Sequence, residues 1–411
     1  MYKEKASTRL FILLFTIFML NCFGKMAFSA VTASLVSEKI MTKTQAGTIG
    51  AFFWIFYALG QILGSWAIKK YSPISLIFWG ILLTSVFTFI MPFGTSFAYM
   101  FVIWSINGIV QFGIYPAILL LISQRVIPEH RHKALNFLSY SFCAGAILSY
   151  SLTSVILKYL SWKFIFYIIA IVMLFGCLAI VYVKKALYPY LPAQLSQNIS
   201  DNKKESKSPS KLKLLFSTGM IVFFVSAFLK SFLDNGTKTW IPTMLMQEFG
   251  ASASYTSLLT TCLLVINLFG VGICEFIYKK INCNENTLLL YCYIVILPFM
   301  LLLLWYKSMS IYVVTAIMTF ATVLMYGSGM AFLTYAPARF QKYGLTASLA
   351  GIINSLAAAG NVAGIYVNGK IADLFGWGTL IIVWISLVIL VVAVNFSGLK
   401  KWKKFMVETD E

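Results

Sequence analysis

Charge is what this chain has least of. Only 11% of its 411 residues are Asp, Glu, Lys or Arg, and 60% are hydrophobic, whereas soluble domains run to about 25% charged. With a mean hydropathy of +0.85, too little polar surface remains to cover a water-soluble core. A soluble enzyme and a disordered chain are both excluded. Histidine is nearly absent: His130 and His132 flank Arg131 with no carboxylate pair at metal spacing. Neither a glycine-rich phosphate loop nor a nucleophile elbow occurs. Cysteine is sparse too. Six of the seven (Cys22, Cys143, Cys177, Cys262, Cys274, Cys292) lie in apolar runs and Cys283 lies in a loop, so free buried thiols are expected, not a disulfide framework. No catalytic residue, metal or cofactor is expected, and the chain does not read as an enzyme.

What is abundant is long apolar runs. A spanning helix needs about 20 mainly apolar residues, and such runs recur near 8–36, 46–68, 74–92, 97–123, 134–157 and 162–183. They resume near 214–245, 252–277, 286–305, 310–337, 346–371 and 376–398. The reading is an all-α integral membrane protein with twelve transmembrane helices, six plus six. Residues 1–183 form one bundle and 214–398 the other. A polar, lysine-rich stretch at 184–213 reads as a flexible cytoplasmic linker, and 399–411 as a cytoplasmic tail. The Asn198-Ile-Ser200 sequon in the linker reads as chance. Lys3, Lys5 and Arg9 before an apolar stretch ending in Ala27-Phe-Ser-Ala30 also resemble a secretory signal. With eleven further spans in the chain, an uncleaved first helix is the expectation.

The excess of positive charge, +19 overall, tracks the spans. With the N-terminus inside, 23 Lys and Arg fall on cytoplasmic segments and 6 on the opposite face. That bias puts both termini in the cytoplasm of a plasma or inner membrane. It also makes nucleic-acid binding unnecessary as an explanation of the charge. A lipid bilayer is the implied partner and a monomer the expected state.

The two halves echo each other. Lys25 comes 16 residues after Arg9, and Lys230 comes 17 after Lys213. Span 2 carries Gly60-Gln-Ile-Leu-Gly64 and ends at Lys69-Lys70; span 8 carries Gly270-Val-Gly272 and ends at Lys279-Lys280. Tyr115-Pro116 in span 4 answers Tyr335-Ala-Pro337 in span 10, and Trp162 in span 6 answers Trp377 in span 12. Such repeats suit two bundles around a central pathway.

On these features the chain resembles the major facilitator superfamily over its whole length. Four strings are similar to the organophosphate:phosphate antiporters: Phe56-Tyr-Ala-Leu-Gly-Gln-Ile-Leu-Gly64, Asn107-Gly-Ile-Val-Gln-Phe-Gly-Ile-Tyr-Pro116, Trp240-Ile-Pro-Thr243 and Gly369-Lys-Ile-Ala-Asp-Leu-Phe-Gly-Trp377. The resemblance implies alternating access with substrate held near the bilayer midplane. It also implies an anion gripped by one arginine in span 1 and one in span 7. Here Lys25 falls at the first position, keeping the charge without the bidentate fork. Asp234 falls at the second, reversing its sign, with Lys230 one helical turn earlier. The loop after span 2 keeps Gly64 and Lys69 but lacks the superfamily's aspartate.

Ionisable residues inside a bilayer are functional candidates by default. Lys25 reads as an anion-binding group, or as a structural partner of Asp234. Lys230, Asp234 and Lys238 lie at i, i+4 and i+8, on one drifting face of a helix. Asp234 could balance the lysines, take a proton, or meet the ammonium of a zwitterion. Lys238 reads as already in the outer headgroups. Glu275 and Lys279 read as an interfacial ion pair. Gln111, Tyr115 and Tyr335 join Lys25 and Lys230 as candidate substrate-binding residues, while Gln61, Asn267, Asn354, Asn361 and Tyr57 read as ties between helices. The expected function is secondary transport of a small organic anion, a phosphorylated metabolite or a carboxylate, with a counter-anion or a proton. The alternatives are a transporter-like membrane sensor of such a solute, or an exporter of an amphiphile.

Overall fold

In hydrocarbon every backbone N–H and C=O must find its partner within the protein, and helices meet that demand segment by segment. The computed structural model describes residues 2–182, 184–185, 215, 217–281, 284–343 and 345–410, and no strand occurs among them. Among the described residues eleven helices are long and apolar enough to cross a membrane, and Tyr140–Ile156 is a shorter apolar helical stretch beside them. Of the linker read at 184–213, only 184–185 fall within the described residues, and Cys283 lies outside them.

The chain divides into two compact units, Met1–Asn202 with Ser252–Thr261, and Lys203–Ala251 with Cys262–Glu411. The first holds α1 (Tyr2–Lys25), α2 (Ala27–Ser37), α3 (Lys43–Lys70), α4 (Pro73–Ile90), α5 (Phe97–Ile109), α6 (Ile114–Arg125), α7 (Pro128–Ile156) and α8 (Lys163–Tyr182). The second half of the chain supplies α9 (Met220–Phe249), α10 (Ala253–Lys280), α11 (Glu285–Leu302), α12 (Ile311–Met330), α13 (Ala336–Ala338), α14 (Thr346–Leu374) and α15 (Gly376–Asp410). The segment read as a tail from residue 399 continues α15 as helix, with Trp402, Phe405 and Met406 buried.

Helix starts obey local chemistry. Thr42 and Gln45 form a reciprocal capping box at α3, and proline opens α4 and α7. Ser96 caps α5 by accepting from Tyr99 N, and Ser310 caps α12 by accepting from Val313 N. These are corresponding positions in the two halves.

Among the described residues, spans 1, 4 and 10 are interrupted within their length. Span 1 is interrupted by a single turn residue, Met26, between α1 and α2, whose N–H still reaches Cys22 O at 3.3 Å. Span 4 breaks between α5 and α6, where the Gln111 amide nitrogen donates to the Asn107 carbonyl at 3.0 Å and to its side chain at 3.2 Å. That carbonyl would ordinarily take a backbone N–H from the next turn. Span 10 passes through a π-helical stretch, Ala331–Tyr335, just before Pro337, whose missing N–H disturbs the preceding turn. The echoed Tyr115-Pro116 and Tyr335-Ala-Pro337 therefore each stand at an irregularity in the helix.

Small residues let backbones meet. In the second unit a Cβ on Gly360 or Gly364 would collide with the carbonyl oxygen of Phe228 or Phe232, so α14 lies directly on α9. Trp240 Nε1 donates to Ile365 O across the same interface at 2.9 Å. In the first unit Gly145 of α7 meets Met19 O of α1 in the same way. Gly60 and Gly64 abut the backbone at Ile109 and Phe112, and Gly270 abuts Val323, whereas Gly272 faces open space.

One buried carboxylate ties four segments of the second unit together. Glu285, fully buried at the start of α11, accepts from Tyr278 Oη at 2.8 Å, Arg339 Nε at 2.9 Å and Trp402 Nε1 at 2.9 Å. A buried charge stripped of its partner leaves the other uncompensated, at a cost of about 3–5 kcal/mol. Glu285→Ala should therefore lower the thermal midpoint of the detergent-solubilised protein by several degrees. Glu275→Ala, which removes an exposed pair with Lys279 at 2.8 Å, should shift it little.

Candidate functional site

Lys25 closes α1, at the break in span 1. It is buried, 3% exposed, and among the described residues no carboxylate pairs with it. Its Nζ donates to Tyr57 Oη of α3 at 2.9 Å. The same atom lies 4.1 Å from the centroid of the Tyr57 ring and 5.2 Å from that of Phe18. Phe18 sits two turns before Lys25 on the same face of α1. The electron-rich faces of the two rings stand where water would otherwise solvate the ammonium. Tyr115, at the start of α6, packs on Phe18 with ring centroids 5.2 Å apart. Together Phe18, Tyr57 and Tyr115 line a cleft of about 220 Å³, with Leu138 and Phe142 of α7 as the remaining wall.

A second charged group lies in the second unit, on α9. Asp234 is paired on both sides: one carboxylate oxygen meets Lys230 Nζ at 3.0 Å and the other meets Lys238 Nζ. All three side chains are largely buried, Lys238 at 15% exposure included. Lys238, read from sequence as lying in the outer headgroups, is thus a partner of Asp234 within the same cluster. Helical spacing of four residues in each direction brings both ammonium groups to one carboxylate. Tyr326 lies beneath Lys238, at 4.6 Å from ring centroid to Nζ, and Phe332 lies 6.0 Å from Lys230 Nζ. The triad carries a net charge of +1.

The candidate residues thus divide. Tyr115 lines the cleft of the first unit and Lys25 lies against it through Tyr57, whereas Lys230 and Asp234 belong with Lys238 to the triad of the second. Gln111 is buried and its amide nitrogen is used at the α5–α6 break. Tyr335 stacks on Tyr278 at 4.6 Å, within the Glu285 cluster. Tyr57, read from sequence as a tie between helices, is the direct partner of Lys25. Its signal in the sequence is a tyrosine at depth inside the Phe56-to-Gly64 string. Phe18, Phe142 and Phe332 carry no such signal, because phenylalanine is common throughout the spans.

Protonating or removing Asp234 would take away the carboxylate that two largely buried ammonium groups share. Asp234→Asn should therefore destabilise the protein by a few kcal/mol, read as a lowered thermal midpoint. Adding Lys238→Met should recover part of that loss by removing one of the two uncompensated charges.

Residues 14–338 match the family described as the Major Facilitator Superfamily. The chain is 22% identical over 286 residues to the hexuronate transporter of Bacillus subtilis (strain 168), covering 68% of this chain and 66% of that one. It is 25% identical over 224 residues to the cis,cis-muconate transport protein of Acinetobacter baylyi, covering 53% of each. The matched region thus spans between about half and two thirds of these relatives' length. In fold the chain is similar to a bacterial homologue of the human lysosomal transporter Spinster. The TM-score is 0.78 at 15% identity, over 97% of this chain and 98% of that one.

Proposed function

The chain belongs to the Major Facilitator Superfamily, and from that membership we propose that it is a secondary transporter of a small organic anion. The observation that carries the proposal is Lys25: a buried ammonium, without a carboxylate partner among the described residues, held by Tyr57, which lines an aromatic cleft. A charge of that kind costs about 2.5–3.5 kcal/mol at the centre of a spanning helix. An incoming anion relieves this cost. The relatives named for hexuronate and cis,cis-muconate support a carboxylate as the anionic group. A single ammonium suits one carboxylate better than a phosphate dianion, which favours carboxylates over the phosphorylated metabolites of the organophosphate antiporters.

In this reading Lys25 binds the anion, with Tyr57 and Tyr115 beside it. Lys230 offers positive charge in the second unit, and Asp234 holds that lysine between turnovers. Anion exchange is the favoured coupling. The empty carrier would have to reorient with a bare ammonium in the bilayer, whereas the loaded one carries a neutralised pair. The protein works as a monomer in the plasma or inner membrane with both termini cytoplasmic, an orientation supported by the 23 against 6 distribution of Lys and Arg.

Proteoliposomes test both halves of this proposal. Uptake of a labelled monocarboxylate, cinnamate or glucuronate, should rise at least about tenfold when vesicles are preloaded with the unlabelled anion, and should ignore collapse of the pH gradient. Lys25→Ala should abolish uptake with the thermal midpoint preserved, and Lys25→Arg should retain part of it. Uptake into empty vesicles driven by a pH gradient would defeat the exchange mode. Unchanged uptake by Lys25→Ala would defeat the site.

A further inference from the structure

The walls of the cleft carry information that its charge does not, and the selectivity read from them rests on Lys25 being the anion-binding group. Among the described residues the lining is Phe18, Tyr57, Tyr115, Leu138 and Phe142. The side-chain polar atoms of these five are two phenol oxygens, and that of Tyr57 is already engaged by Lys25. Tyr115 and Phe142 are 37% and 41% exposed, so each presents ring surface to whatever enters. Phe18 and Leu138 are buried behind them.

Two kinds of carboxylate would meet this surface very differently. A sugar acid carries a hydroxyl on nearly every carbon. Laid against these rings, its hydroxyls give up water and find few replacements, and each polar group buried without a partner weakens binding. A flat skeleton with conjugated double bonds or an aromatic ring surrenders no hydroxyl. It also gains offset or edge-on contacts with Tyr115 and Phe142, while its carboxylate meets Lys25.

We propose that the cleft of the first unit selects carboxylates with a flat, unsaturated or aromatic body over polyhydroxylated sugar acids. Lys25 supplies the charge recognition, and the Phe18, Tyr115 and Phe142 rings supply the selectivity.

Equilibrium binding to the purified full-length protein, with the flat monocarboxylates cinnamate and sorbate set against glucuronate and galactonate, tests this. Cinnamate and sorbate should bind at least tenfold more tightly than either sugar acid, a difference of about 1.4 kcal/mol. Phe142→Ala should weaken cinnamate several-fold and leave glucuronate within twofold, and Phe142→Leu, which keeps the site apolar, should do so in smaller measure. Sugar acids binding as well as cinnamate or better, in a manner lost with Lys25→Ala, would overturn the selectivity and leave the anion-transport reading standing. Binding of none of the four, or binding of all four that survives Lys25→Ala, would overturn both.

Discussion

An ammonium group without a counter-ion has to be solvated by the protein itself when water is absent, and the first unit is organised around that requirement. The phenol of Tyr57 accepts a hydrogen bond from Lys25, while the ring faces of Tyr57 and Phe18 supply the remaining negative potential. The break at Met26 ends α1 at Lys25. None of these partners carries a formal charge, so the positive charge is softened without being cancelled. The second unit meets the same constraint differently. There Asp234 divides its carboxylate between Lys230 and Lys238, and the excess over neutrality is one charge shared along a helix.

Both arrangements depend on helices that sit closer than side chains ordinarily allow. Gly145 lets α7 reach α1, and Gly360 and Gly364 let α14 reach α9. Where helices touch through their backbones, their rotation about their own axes is restricted, and the faces bearing Lys25 and Asp234 are held. The irregular segments of spans 4 and 10 lie elsewhere, each just before a proline. Their position in both halves points to a shared requirement for locally loosened helix beside the cleft in one unit and the Glu285 cluster in the other.

Much of this is legible in the amino-acid sequence because a charge inside an apolar run has few innocent explanations. Lys25, Lys230 and Asp234 stand out for that reason, and twelve spans emerge from run length alone. Lys238 is harder to place, because hydropathy cannot say where a helix leaves the bilayer when a neighbouring carboxylate offsets the charge. Tyr335 matches Tyr115 in sequence, yet the π-helical stretch before it breaks the correspondence. Phe332, one turn earlier, faces Lys230, and Tyr335 stacks on Tyr278. Gln111 resembles a ligand because amides at depth are rare. Its amide nitrogen mends a backbone interruption that no residue pattern announces. Glu285 gives no sign in the sequence because it begins a span, where a carboxylate usually faces water. Its burial depends on Arg339 and Trp402, which lie 54 and 117 residues further along the chain.

Those separations bear on how the protein is made. Chains of this kind enter the membrane from the N-terminal end, so Glu285 is delivered long before two of its three donors exist. Until α15 arrives with Trp402, the carboxylate has an incomplete set of partners and the α11 terminus has reason to remain near water. Completion of the cluster is therefore a late assembly event that seals the end of the bundle. A lesion in α15 would be felt first as a failure of biogenesis, with the aromatic cleft of the other unit already formed.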